Sequence, residues 1–296
     1  MHDLATQAFL TLRNRLYTGP DAPIQLDLRD KRNTQDNPFD EYLAETVFDS
    51  INGVETIKAS PLTTPDIVLY RPKKLAEINK EELQGSLDKI VAIEVKKLER
   101  NKSGSVARPG GLDYNTTPPC GKVRVYDEQE RAFDIRAFYL FVCLEEVSDD
   151  KSKNAVTAAT LVDGNAINRD FQLYLSITGE REKEIGLGSY GEGMDRQRPM
   201  MVFPNPLGWA RINDQVTLIH PKQNLHKEGA ELEKLFNITR SADGTNPQVF
   251  GCYQYSEDVP KGWSVRNVEN PFPVPADRKS RTQQRGRFTL PFTLPD

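Results

Sequence analysis

Three side chains in the first third of the chain are spaced so that they could act together. Asp66 follows Pro65 and opens the apolar run Ile67-Val68-Leu69-Tyr70. Glu94 and Lys96 stand 28 and 30 residues further on, closing the run Ile90-Val91-Ala92-Ile93. Side chains alternate along a strand, so Glu94 and Lys96 emerge on one face while Val95 enters the opposite, apolar side. If Asp66 begins a neighbouring strand, its carboxylate joins that of Glu94. Two carboxylates make a sparse, open site for Mg²⁺, a hard cation that prefers oxygen ligands and keeps several waters. The bland alternative is a solvated strand end carrying an ordinary Glu–Lys pair.

Pro65-Asp66 followed by Glu94-Val95-Lys96 resembles the motif of the PD-(D/E)XK nuclease superfamily. The polar loop GGLDYNTTPPCGKVRVY after the second run and the total length resemble its type II restriction endonucleases. The resemblance implies a restriction-endonuclease-like α/β core, a central mixed sheet flanked by helices. It also implies Mg²⁺-dependent hydrolysis of phosphodiester bonds in double-stranded DNA, restriction of foreign DNA, and a C2 homodimer matching the symmetry of its site. Metal ions acidify water and clamp oxygens in such chemistry. Lys96 beside the scissile phosphate could orient or activate the water and stabilise developing charge. An acid on a helix before the sheet often joins such sites; Glu45 is the first choice here and Glu41 the second. The alternatives within reach are a structure-specific repair or recombination nuclease and a non-catalytic DNA-binding module.

Base reading needs Arg, Asn or Gln at base edges. Two polar segments offer such groups, at about 101–126 and 186–211. The first carries Lys102, Arg108, Asp113, Tyr114, Asn115, Thr116 and Thr117; the second carries Asp195, Arg196, Gln197 and Arg198. Each could equally be a solvated surface loop. The basic tail from Arg278 to Arg287 suits phosphate contacts or a solubilising segment.

The elements that must position these groups follow from periodicity. MHDLATQAFLTLRNRLY reads as an amphipathic helix. A second helix starts at Asn37 as cap and Pro38 in the first turn, with Phe39, Leu43, Val47, Phe48 and Ile51 on one face. Strands are expected at 54–58, 66–70 and 90–96, with 72–89 as a surface insertion. Further regular elements are expected at 133–144, 154–162, 168–177 and 215–220. A helix is expected over 230–236, and a loop-rich chain after Ser241. The catalytic core would span about 37–180 of one elaborated domain, 1–296.

Charged residues make up 28% of the 296 and hydrophobic residues 37%, the balance of a soluble globular chain. No apolar run is long enough to span a bilayer, and the expected location is cytoplasmic. The net charge of −4 lacks the global basic footprint of small DNA-binding domains, so any nucleic-acid contact must use a local groove. Cys120, Cys143 and Cys252 suggest neither a disulfide framework nor a zinc site. His2, His220 and His226 are too scattered for a histidine metal site, and Trp209 and Trp263 read as packing.

Overall fold

The computed structural model describes residues 2–19, 24–33, 36–60, 63–75, 80–108, 112–114, 119, 121–147, 152–168, 197–198, 201–241, 246–272, 281–282, 286–287 and 289–293. Eleven strands form one mixed sheet. In chain order they are β1 (Leu26–Asp27), β2 (Glu55–Lys58), β3 (Ile67–Tyr70), β4 (Ile90–Leu98), β5 (Lys122–Tyr126), β6 (Ala132–Glu146), β7 (Lys153–Asp163), β8 (Val216–His220), β9 (Leu232–Arg240), β10 (Gln248–Tyr255) and β11 (Arg266–Glu269). Their spatial order is β11-β9-β10-β8-β7-β6-β4-β3-β2, with β1 on β7 and β5 on β6. The pairs β4/β6, β7/β8 and β9/β11 are parallel and the others antiparallel. The expected α/β class with a central mixed sheet is therefore present.

Helices cover both faces, as a sheet with two apolar sides requires. Helix α1 (Leu4–Leu16) and helix α2 (Pro38–Tyr42) pack on one face through Leu4, Phe9, Leu12, Phe39 and Leu43, meeting Ile67, Leu69, Val91, Ile93 and Val95. The other face, bearing Val68, Ile90 and Ala92, is covered by α3 (Pro72–Leu75), α4 (Lys80–Gly85) and α5 (Gly164–Asn168) and by loops. Leu75 and Leu83 are buried there, so the stretch between β3 and β4 adds core and is not a mere surface insertion.

Helix α1 starts at Asp3, whose carboxylate accepts the Thr6 amide at 2.9 Å. The second Asp3 oxygen faces His220 Nε2 at 3.5 Å and Lys222 Nζ at 3.1 Å, tying the helix to the end of β8. His220 Nδ1 accepts the Lys222 amide, which leaves its proton on Nε2, toward Asp3. This histidine is fully buried and structural.

One expectation fails in the last third. Residues 230–236 are not helical but enter β9. The apolar residues Leu232, Leu235 and Phe236 have helix-like spacing because a bulge between Lys234 and Phe236 interrupts the strand alternation. An extra residue in a strand imitates a helical period. The loop-rich stretch after Ser241 also holds sheet that its composition did not show: β10 is a buried inner strand and β11 extends the sheet. Trp209 and Trp263 pack against Phe236, and the Trp263 indole N–H donates to the Leu235 carbonyl at 3.1 Å. The element expected at 168–177 lies almost wholly outside the described residues. Among the described residues, no helix is long and apolar enough to cross a membrane.

Candidate active site

The register of β3 and β4 decides where the acids meet. Ile67 pairs with Ile93 and Val68 with Ala92, so one step further Asp66 stands opposite Glu94. Neighbours across an antiparallel ladder share a face. Val68 and Ala92 lie on the face away from α1 and α2, and the alternation puts Asp66, Glu94 and Lys96 on that side. Asp66 Oδ2 accepts the Val95 amide at 2.7 Å, which fixes the carboxylate at the end of the ladder. Glu94 Oε1 accepts from Lys96 Nζ at 2.8 Å. Glu94 is only 7% exposed, and its Oε2 is buried with no hydrogen-bond partner. A buried carboxylate oxygen without a partner is costly and implies a missing cation or donor.

The electrostatics point the same way. Burial, then the charges of Glu94 and Asp40, push the Asp66 acid up to about 8, against the opposing pull of Lys96 and the Val95 amide. Burial also raises Asp40, with Lys97 opposing and Glu94 reinforcing. Three acids thus share one field that two lysines do not fully balance. Among the described residues, no three His, Cys, Asp or Glu side chains converge as a ready metal cage. Asp66 and Glu94, with one uncommitted buried oxygen, nevertheless fit a hard cation that retains most of its waters.

The acid that α2 brings to this field is Asp40, not Glu45. Glu45 is exposed on the π-helical turn Leu43–Val47 that continues α2. Glu41 is occupied elsewhere, accepting from Arg29 at 2.9 and 2.8 Å and from Lys58 at 2.9 Å. Those partners hold its carboxyl well below the usual range. Asp40 is 5% exposed, and Leu43, Ala44 and Val47 follow it at the spacing of one helical stripe. An acid seated on an apolar stripe is the signal that identifies it in the sequence. Asn37 was expected to cap the helix, but its side chain makes no capping bond and instead accepts from Lys97 Nζ at 2.6 Å. The same ammonium donates to Asp40 Oδ1 at 3.2 Å. Neither Asp40 nor Lys97 was among the expected site residues.

The polar segments are partly described. Lys102 is exposed in the turn after β4, where Asn101 Oδ1 accepts the Ser103 and Ser105 amides at 3.0 and 3.1 Å. Arg108 is exposed with a φ of 51°, and its carbonyl accepts from Asn205 at 3.2 Å. Asp113 and Tyr114 lie in a short strand, Leu112–Tyr114, that pairs antiparallel with Met201–Phe203. This ladder joins the two segments that the sequence singles out. Leu112 and Phe203 belong to the core on the Glu94 face. Gln197 and Arg198 pair with Thr282 and Arg281 of the basic tail. Asn115, Thr116, Thr117, Asp195 and Arg196 lie outside the described residues.

On the other side of β4, a cleft of about 780 Å³ runs past Lys97 and Arg100 between Arg29, Phe39 and Glu145. Its cations and acids are balanced, and Arg29 and Lys97 already hold Asp36, Glu41 and Asp40. Compared with protein-family models, with curated proteins and with solved structures, the chain matches none.

Proposed function

We propose that the chain is a Mg²⁺-dependent endodeoxyribonuclease that cuts double-stranded DNA at a specific site and serves in the restriction of foreign DNA. The observation that carries this reading is the facing of Asp66 and Glu94 across β3 and β4, with Lys96 on the same face and the buried Glu94 Oε2 left without a partner.

Asp66 and Glu94 would hold the ion, and when bound it would supply acidification of water and charge compensation at the phosphate. The chain's own residues do the rest. The Val95 amide orients Asp66, and the Lys96 ammonium orients Glu94. Lys96 stands where it can also donate to a phosphate oxygen or to the attacking water, offsetting negative charge as it develops. Arg108, the ladder of Asp113 and Tyr114, and the Gln197–Arg198 strand are the candidates for DNA contacts. The pairing of the two polar segments supports a common surface on the Glu94 side. A twofold-symmetric site would be met by a homodimer acting in the cytoplasm.

The test is incubation of the purified chain with phage and plasmid DNA, with Mg²⁺ or with EDTA, beside Lys96→Ala. Discrete Mg²⁺-dependent fragments absent from the variant are expected. Cleavage confined to branched or damaged DNA would instead assign a structure-specific nuclease, and metal-independent binding with no cleavage would assign a binding module.

A further inference from the structure

The C-terminal chain returns to the candidate site. Gly286 and Arg287 pair in parallel with Thr63 and Thr64, just ahead of Pro65 and Asp66. Thr289 then bridges Tyr126, whose carbonyl accepts the Leu290 amide at 2.6 Å. Leu290 is fully buried in the core on the Glu94 face. Phe292 packs against the same core, its ring centroid 4.6 Å from that of Tyr70. Thr64 and Tyr70 flank Asp66 along the chain, so the tail meets this segment on both sides of the proposed metal ligand.

Arg287 is thereby placed close to Asp66. Paired strands lie about 4.8 Å apart and two residues of chain add at most about 7 Å, so the two Cα atoms are within about 12 Å. A second pairing of the tail adds a reason for an anion. Arg198 and Arg281 share one rung of the antiparallel ladder between Gln197–Arg198 and Arg281–Thr282. Like charges directly opposite each other are destabilising, a cost that a bound anion would remove.

We propose that the C-terminal tail belongs to the DNA-binding surface and that Arg287 holds a backbone phosphate beside the one to be cut. The inference rests on the DNA substrate of the proposed function and adds to it a group that grips the strand next to the metal site. A guanidinium matches a phosphate with two parallel hydrogen bonds. The tail supplies locally the positive charge that a chain of net charge −4 lacks as a whole. A tail that served solubility alone would not need Leu290 in the core.

Non-specific duplex binding is governed by phosphate contacts, so the test is anisotropy of a labelled random-sequence duplex in EDTA across a salt series. Arg287→Ala should weaken binding about tenfold at low salt, as for loss of one charge-assisted contact. It should also lower the slope of log affinity against log salt by about 1, with the melting temperature unchanged. Arg287→Lys should keep the slope, because the charge remains. Arg266→Ala removes the same charge from β11, at the far edge of the sheet, and should change affinity by less than about twofold.

An Arg287→Ala whose affinity and slope match those of Arg266→Ala overturns the proposal while leaving the nuclease reading in place. A lower melting temperature with an unaltered slope overturns it too, by making the tail a packing element only. Should Arg287→Ala not fold, Arg287→Gln carries the same test. A wild type that binds no duplex at any salt would remove both the proposal and the DNA substrate beneath it.

Discussion

Asp3, fully buried, and Asp66, half-buried, both stand beside a strand end, and their acids move in opposite directions. At Asp3, burial works against the charge, but His220, the Thr6 amide and Lys222 outweigh it and hold the carboxyl well below its usual range. At Asp66, burial is reinforced by Glu94 and Asp40, and the acid rises to about 8. At the first site the chain supplies the opposing charge: Asp3 Oδ2 makes no hydrogen bond, yet it lies 3.1 Å from Lys222 Nζ and 3.5 Å from His220 Nε2. The second is short of positive charge and contains a buried oxygen that nothing in the chain meets. A fold gains from the first arrangement and loses from the second, so the second is the place to look for a bound cation.

The largest expected effect separates function from stability. Glu94→Gln should lower Mg²⁺-dependent cleavage by roughly 10³-fold or more, in the range of losing a principal electrostatic or acid–base contributor. Without metal, the same change should raise the melting temperature at pH 8, because it removes a negative charge facing Asp66. A drop in both would abolish the contrast between the two sites. Asp3→Asn should do the reverse, lowering stability by about 3 kcal/mol in denaturant unfolding, since it strips a buried charge from its partners, while leaving Mn²⁺ affinity unaltered.

A smaller effect follows from pH. The folded pKa of Asp66 lies above its unfolded value near 3.8, so the folded state binds the extra proton between about pH 4 and 8. Stability of the metal-free protein should therefore fall as pH rises through that window, and saturating Mg²⁺ should cancel the fall. Asp3 has the opposite sign. Its folded pKa is depressed, so its contribution is present above about pH 4 and is lost as pH falls through the folded value. Melting curves of wild type and Asp66→Asn across pH 4–9 would check the first, and of wild type and Asp3→Asn from pH 5 downward the second; a slope unchanged in Asp66→Asn would refute the account of that residue. The smallest effect is expected for Lys222→Met, below about 1 kcal/mol, because the lysine side chain is 41% exposed and water screens its pairing with Asp3.

The two acids also differ in how much of their setting could be read from sequence. Asp66, Glu94 and Lys96 are placed by the period of two strands and the order of two apolar runs, both local properties. The α2 contribution was only half legible: periodicity locates the helix, but the choice among Asp40, Glu41 and Glu45 depends on how its axis sits on the sheet. Arg29 and Lys58 claim Glu41, and Lys97 claims Asp40, from 12, 17 and 57 residues away in the chain. The Asp3 site was not legible at all, because its histidine comes from β8, more than two hundred residues later.

The sequence by itself determined the α/β class, helices α1 and α2, the strands β2, β3 and β4, and the shared face of Glu94 and Lys96. Neighbouring residues impose these through backbone geometry. Only the tertiary structure decided that 230–236 enters a bulged strand, that β10 lies within the sheet, that the two polar segments pair through 112–114 and 201–203, and that Asp40 and Lys97 meet beside the site. Each of these depends on a partner distant in the chain, and bulge, register and charge pairing are settled only when that partner arrives.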